Sequence, residues 1–106
     1  EISLTGGFKI FTKSGEKLIT PEELGQKRLE QSAIYGGNSV ADAAKIFKNI
    51  LEGNGTDAQN SVVLTNAAFA LQIVDANKDF DTAFEEVKDS LFGLKAKQTL
   101  DKLVSI

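Results

Sequence analysis

At 106 residues, with 42% hydrophobic and 25% charged side chains, the chain has the make-up of one folded domain or part of one and is too apolar for intrinsic disorder. It contains no Cys and no His, which excludes disulfides, zinc sites built on thiolate or imidazole, Cys nucleophiles and Ser-His-Asp triads. Its net charge of -3 is spread over interleaved acidic and basic residues, so it offers no electrostatic footprint for a nucleic-acid backbone.

The chain opens on "EISLTGG", an extended start in which Glu1, Ser3 and Thr5 alternate and share one side. Next, "FKIFTKSGEKLI" from Phe8 to Ile19 places Phe, Ile, Leu and Thr around Ser14 and Gly15, which predicts a β-hairpin with Phe8, Ile10 and Thr12 on one face. "TPEELG" predicts one short helical turn: Thr20 as N-cap, Pro21 at the first helical position, Glu23 closing a capping box and Gly25 as the stop. The following "QKRLEQSAIYGGN" has no firm period and is expected to be a connector with a helical turn at most.

Four helices follow. "NSVADAAKIFKNILEGNG" has Asn38 or Ser39 as cap, an apolar stripe at Val40, Ala44, Phe47 and Leu51 supported by Ala43 and Ile50, and a stop at Gly53. Residues Ala58 to Asp75 are apolar on most faces, which predicts a central buried helix. Thr65, Asn66 and Gln72 interrupt that run and no basic flank accompanies it, so it does not read as a membrane span. A third helix starts near Asp79 with a stripe at Phe80, Phe84, Val87 and Leu91 and stops at Gly93; a fourth uses Leu94, Leu100, Leu103 and Val104.

With Cys and His missing, chemistry must rest on carboxylates, Lys or Arg, hydroxyls and main-chain groups. Glu1, Ser3 and Thr5 can hold a hydrated cation or a phosphate, or can be a charged end leading into a strand with polar faces. Gly6 and Gly7 allow close approach to a phosphate, or make a turn. Tyr35 to Asn38, "YGGN", either binds an anion at a helix N-terminus or caps the helix. Asn66, a polar group in an apolar helix, needs a hydrogen-bond partner and is expected to tie its helix to a neighbouring loop. The pairs Glu22-Glu23 and Glu85-Glu86 lie where caps and solvated faces put carboxylates and carry no catalytic role.

Taken in order, "EISLTG", the hairpin, "ITPEELG", "GGNSVADAAKIFKNILEGNGTDAQNSVVLTNAAFAL" and the closing pair of helices resemble the C-terminal third of the anthranilate phosphoribosyltransferases. The likeness runs over nearly the whole chain. It is most specific at the start, where that family reads Asp-Glu-x-Ser-x-Thr-Gly, and at "NAAFAL". The resemblance implies an α/β catalytic domain of the nucleoside phosphorylase and phosphoribosyltransferase kind, with a mostly parallel sheet and a separate small helical domain. Residues 1–106 would form the C-terminal part of the α/β domain, as a hairpin followed by about four helices, with the helical domain and the Gly-rich diphosphate-binding loop outside the chain.

By the same resemblance, the parent transfers phosphoribosyl from 5-phosphoribosyl-1-diphosphate to anthranilate in tryptophan biosynthesis, releases diphosphate with Mg2+ assistance, is cytoplasmic and dimerises through its helical domain. Glu1 matches the Glu of the magnesium-binding Asp-Glu pair and is the single metal-site residue expected here. No catalytic or substrate-binding residue is assigned. The chain departs from the pattern in lacking the preceding Asp and in having Gly7 where many members carry Pro, and by itself it is expected to be an inactive fragment. The alternatives are a related nucleoside phosphorylase, a transferase-like nucleic-acid binder, which the acidic balance disfavours, and a non-catalytic helical interaction module.

Overall fold

The computed structural model describes residues 1–106. After an irregular start, strands β1 (Phe8–Thr12) and β2 (Gly15–Ile19) form an antiparallel hairpin in which Phe8 pairs with Ile19 and Thr12 with Gly15, closing on Lys13 and Ser14. Alternation places Phe8 and Ile10 half-buried, while Lys9 and Phe11 face solvent. The hairpin is held to the helices by aromatic contact: the Phe8 ring meets Phe69 edge-on at 6.0 Å, and the stack continues through Phe80 at 5.4 Å to Phe84 at 5.6 Å.

The predicted turn after the hairpin is a single 3-10 turn, Glu22–Leu24, ended by left-handed Gly25. Half of the expected capping box forms: the Glu23 main-chain N–H donates to the Thr20 hydroxyl at 3.3 Å. No return bond runs from the Glu23 side chain to Thr20 N–H, and the neighbouring Glu22 accepts two bonds from the Arg28 guanidinium at 2.8 and 3.2 Å. The connector contains a second 3-10 turn, Gln31–Ile34.

Helix α1 (Val40–Leu51) is capped by the Ser39 hydroxyl, which accepts from Asp42 N. At its other end, Gly53 takes a left-handed φ of 83°. There Gly53 N–H bonds to Ile50 O and Asn54 N–H to Asn49 O, the paired bonds of a Schellman stop. The buried face differs from the predicted stripe. Ile50 is buried and Ile46 and Leu51 pack beside it, whereas Val40 and Phe47 are 88% and 53% exposed. Two apolar stripes lie side by side on this helix, and the Ile46–Ile50 stripe is the one that meets α2 and α3.

Helix α2 (Asp57–Val74) starts with a full capping box: Gln59 N–H donates to the Thr56 hydroxyl and Thr56 N–H to the Gln59 side chain. Leu64, Thr65 and Ala68 are buried at its centre. Burial does not extend along the whole helix as expected, because Ile73 and Val74 at its end are 86% and 85% exposed.

Helix α3 (Phe80–Phe92) packs along α2, capped by Asp79. Gly93 ends it through close approach, since a Cβ there would lie 2.6 Å from the Asp89 carbonyl oxygen. The left-handed residue is the next one, Leu94, with φ of 62°. Leu94 therefore stands before α4 (Lys95–Val104) and not within its apolar stripe, and Leu103 and Val104 remain largely exposed.

The helices meet in a small apolar cluster of Ile50, Leu64 and Leu91, flanked by Ile46, Leu51, Phe84 and Val87, while Ile2, Leu4, Ile19, Ala68 and Ala83 are buried outside it. Each fully buried aliphatic side chain of this kind contributes about 1.5–3 kcal/mol. The radius of gyration, 14.5 Å, exceeds the ~13 Å of a compact domain of this length, in keeping with helices that share only part of their surfaces. No helix is long and apolar enough to cross a membrane.

Candidate functional site

The first six residues alternate as their side chains dictate. Ile2 and Leu4 are buried, at 8% and 0% exposure, which turns Glu1 and Ser3 outward. Asn66, from the middle of α2, holds the main chain of Ile2 on both sides: its Oδ1 accepts from Ile2 N–H at 2.9 Å and its Nδ2 donates to Ile2 C=O at 2.7 Å. The Leu4 carbonyl accepts from Leu29 N–H at 2.9 Å, which ties the same segment to the connector.

Leu4 also has a left-handed backbone, φ 62°, a conformation that costs an L-residue roughly 1–2 kcal/mol and that burial of its side chain offsets. The bend at Leu4 brings the Ser3 and Thr5 hydroxyls within 2.7 Å of each other. Thr5 N–H also donates to Ser3 Oγ at 3.3 Å. Gly6 and Gly7, by contrast, have no left-handed φ. The bend spans Leu4 to Gly6, and its left-handed residue is Leu4, two positions before the first glycine.

Glu1 is exposed and takes part in none of the six ion pairs of the chain. In the same segment the Ser3 and Thr5 hydroxyls pair with each other, and carboxylate and hydroxyl oxygens are the kind of donor Mg2+ prefers. That donor chemistry fits the ion. No group of three or more acidic, His or Cys residues gathers anywhere in the chain, so Glu1 can be one ligand among others supplied by substrate, water or another part of a larger protein.

The other candidates resolve into structural roles. At "YGGN", Tyr35 OH donates to Asn38 Oδ1, Asn38 N–H donates to the Asp42 carboxylate at 3.2 Å, and Ser39 occupies the cap. Asp42 thus stands where an anion would sit, and capping accounts for the motif. Gly37 is needed there, since its φ is 89° and a Cβ would come 2.5 Å from that of Asp42. Glu22 is held below the usual carboxylate range, chiefly by the hydrogen bond from Arg28 and then by its own main-chain N–H. Glu86 pairs with Lys78 at 2.7 Å and Glu85 with Lys88 at 4.0 Å, both on the solvated face of α3.

Asn66 makes the predicted tie, but its reach to the residue next to Glu1 had no signal in the sequence, since the two lie 64 positions apart. The Leu29 tether and the left-handed bend at Leu4 had none either.

Residues 9–96 match a glycosyl transferase family, its a/b domain, and the chain belongs to that family. Among curated relatives it is similar to the anthranilate phosphoribosyltransferase of Bacteroides fragilis strain YCH46, 43% identical over the whole chain and 32% of the relative. It is also similar to those of Flavobacterium johnsoniae, 46% identical over 97% of the chain and 32% of the relative, and Cytophaga hutchinsonii, 36% identical over 98% and 32%. The chain therefore spans about a third of the length of the curated relatives it matches. No solved structure matches it.

Proposed function

We propose that the chain is the C-terminal third of an anthranilate phosphoribosyltransferase, forming the last part of its α/β domain, in a cytoplasmic enzyme of tryptophan biosynthesis. The observation that carries this is the likeness, 43% identical over all 106 residues, to the B. fragilis enzyme of that name. The reaction breaks the bond between the ribose C1 and the diphosphate oxygen and joins C1 to the anthranilate nitrogen, which gives up a proton. Diphosphate leaves.

Mg2+, when bound, supplies positive charge for the diphosphate as it departs. In this chain Glu1 would hold that ion as a carboxylate ligand and would not move a proton. The Ile2 and Leu4 anchors fix the direction of the Glu1 backbone. With no His or Cys in the chain, its contribution is positioning and charge, which can supply most of the rate in such a displacement. The partners of the whole enzyme are 5-phosphoribosyl-1-diphosphate, anthranilate and a second subunit docked through the helical domain.

The test compares two carboxylates in the full-length enzyme. Glu1→Gln is expected to raise the Mg2+ concentration for half-maximal turnover and to lower turnover. Glu16→Gln, at the start of exposed strand β2, should do neither. Equal and small effects from both would remove Glu1 from the metal site.

A further inference from the structure

We propose that Asn66 is a positioning residue for Glu1, setting the direction in which the Glu1 carboxylate meets the metal; the proposal rests on Glu1 being a ligand. Ile2 N–H belongs to the peptide plane that joins it to Glu1. When that N–H donates to Asn66 Oδ1 at 2.9 Å, the plane is fixed and the Cα of Glu1 with it. The bond from Asn66 Nδ2 to Ile2 C=O, at 2.7 Å, fixes the plane on the other side. One side chain thus acts on Ile2 as a neighbouring strand would.

The side chain doing this is itself held. Its second amide hydrogen donates to the Val62 carbonyl, one turn back on α2, at 2.9 Å. The orientation of the amide follows from this set, because exchanging O and N would set an oxygen against two carbonyls. Both hydrogens and one acceptor site are used, so no other residue type replaces Asn here without loss. Asp keeps the acceptor for Ile2 N–H but opposes a charge to the Ile2 and Val62 oxygens. Ala keeps nothing.

Elsewhere on α2, Gln72 makes a comparable tether, from Nε2 to the Lys78 carbonyl at 3.1 Å. It serves the α2–α3 connection, and its loss reports a purely structural tie on the same helix.

The experiment uses the full-length enzyme carrying Asn66→Ala, Asn66→Asp, Gln72→Ala, Glu1→Gln and the Glu1→Gln/Asn66→Ala pair. Binding of Mn2+, as a paramagnetic stand-in, is measured by the electron paramagnetic resonance signal of the free ion, alongside thermal midpoints and the Mg2+ dependence of turnover. Expected are Mn2+ binding about tenfold weaker in Asn66→Ala, a smaller loss in Asn66→Asp, and no further loss when Asn66→Ala is added to Glu1→Gln. Gln72→Ala should lower the midpoint alone. If Asn66→Ala does not fold, Asn66→Asp carries the comparison. The proposal is overturned if Glu1→Gln weakens Mn2+ binding while the folded Asn66 variants lower only the thermal midpoint, as Gln72→Ala does. If Glu1→Gln leaves Mn2+ binding unchanged, Glu1 is not a ligand and the role of Asn66 falls with it.

Discussion

The rings of Phe8 and Phe69 meet in a T-shaped contact, centroids 6.0 Å apart and planes at 86°. This contact joins a hairpin with few buried residues of its own to the longest helix. An edge-to-face pair adds about 0.5–1.5 kcal/mol beyond burial. Phe8→Leu keeps an apolar body, removes this ring and leaves the Phe69–Phe80 contact to α3 intact, so it should cost about 1 kcal/mol. In hydrogen exchange, the β1 and β2 amides should lose protection more than those of α3. Uniform loss across both would show that the hairpin is held by something other than this contact.

Asp79 caps α3 by accepting from Thr82 N–H at 2.8 Å. That main-chain bond, aided by the Thr82 hydroxyl, holds the carboxyl below the ordinary Asp range. In unfolding, the released Asp79 takes up a proton more readily than the folded one. The stabilisation is therefore whole above the ordinary Asp pKa and is lost as pH falls through the depressed value. Asp79→Asn retains a cap but cannot titrate. The difference in urea midpoint between the parent and Asp79→Asn should narrow as the pH falls below the ordinary Asp value of 3.8. A difference constant with pH would leave the carboxylate charge without a role.

Two leucines hold left-handed backbones, and their surroundings decide opposite outcomes. Leu94, with φ of 62°, is 39% exposed. Leu94→Gly relieves the backbone, at some entropic cost, and should raise stability by about 0.5–1 kcal/mol. Leu4 has the same φ but is fully buried. Leu4→Gly removes a core side chain worth more than the strain and should lower stability by about 2 kcal/mol. Chemical denaturation of both variants checks the contrast, and a shared sign would mean that strain and burial are wrongly weighed at one of them.

Local chemistry in the sequence was enough to place the hairpin, the Gly53 stop and the need of Asn66 for a partner, and to narrow the α1 cap to Asn38 or Ser39, of which the structure uses Ser39. The Thr56–Gln59 capping box was missed, since helix α2 was expected to start only near Ala58. Helix α1 shows where such reasoning ends. Val40, Ala44, Phe47 and Leu51 satisfy the helical period, but so do Ile46 and Ile50, and only the placement of α2 and α3 selects the face that is buried. Left-handed Leu4 and Leu94 were hidden because leucine gives no hint of that backbone. At Glu1 the pattern allowed both a plain charged end and a ligand. The family likeness favoured the ligand, and the Asn66 clamp shows how the residue next to it is fixed.

The five-residue connection between α2 and α3 is latched at Lys78. Its carbonyl accepts from Gln72, its ammonium meets Glu86 at 2.7 Å and Asp75 at 3.8 Å, and Asn77 N–H bonds to the Asp75 side chain. A protease must draw a stretch of chain into an extended form before cutting, and at Lys78 every one of these bonds must break first. The hairpin turn at Lys13 has one weak side-chain bond nearby, Ser14 N–H to Thr12 at 3.2 Å. Of two lysines in short surface connections, trypsin should meet an open site at Lys13 and a closed one at Lys78, so a limited digest severs β1 from β2 before it parts the helices.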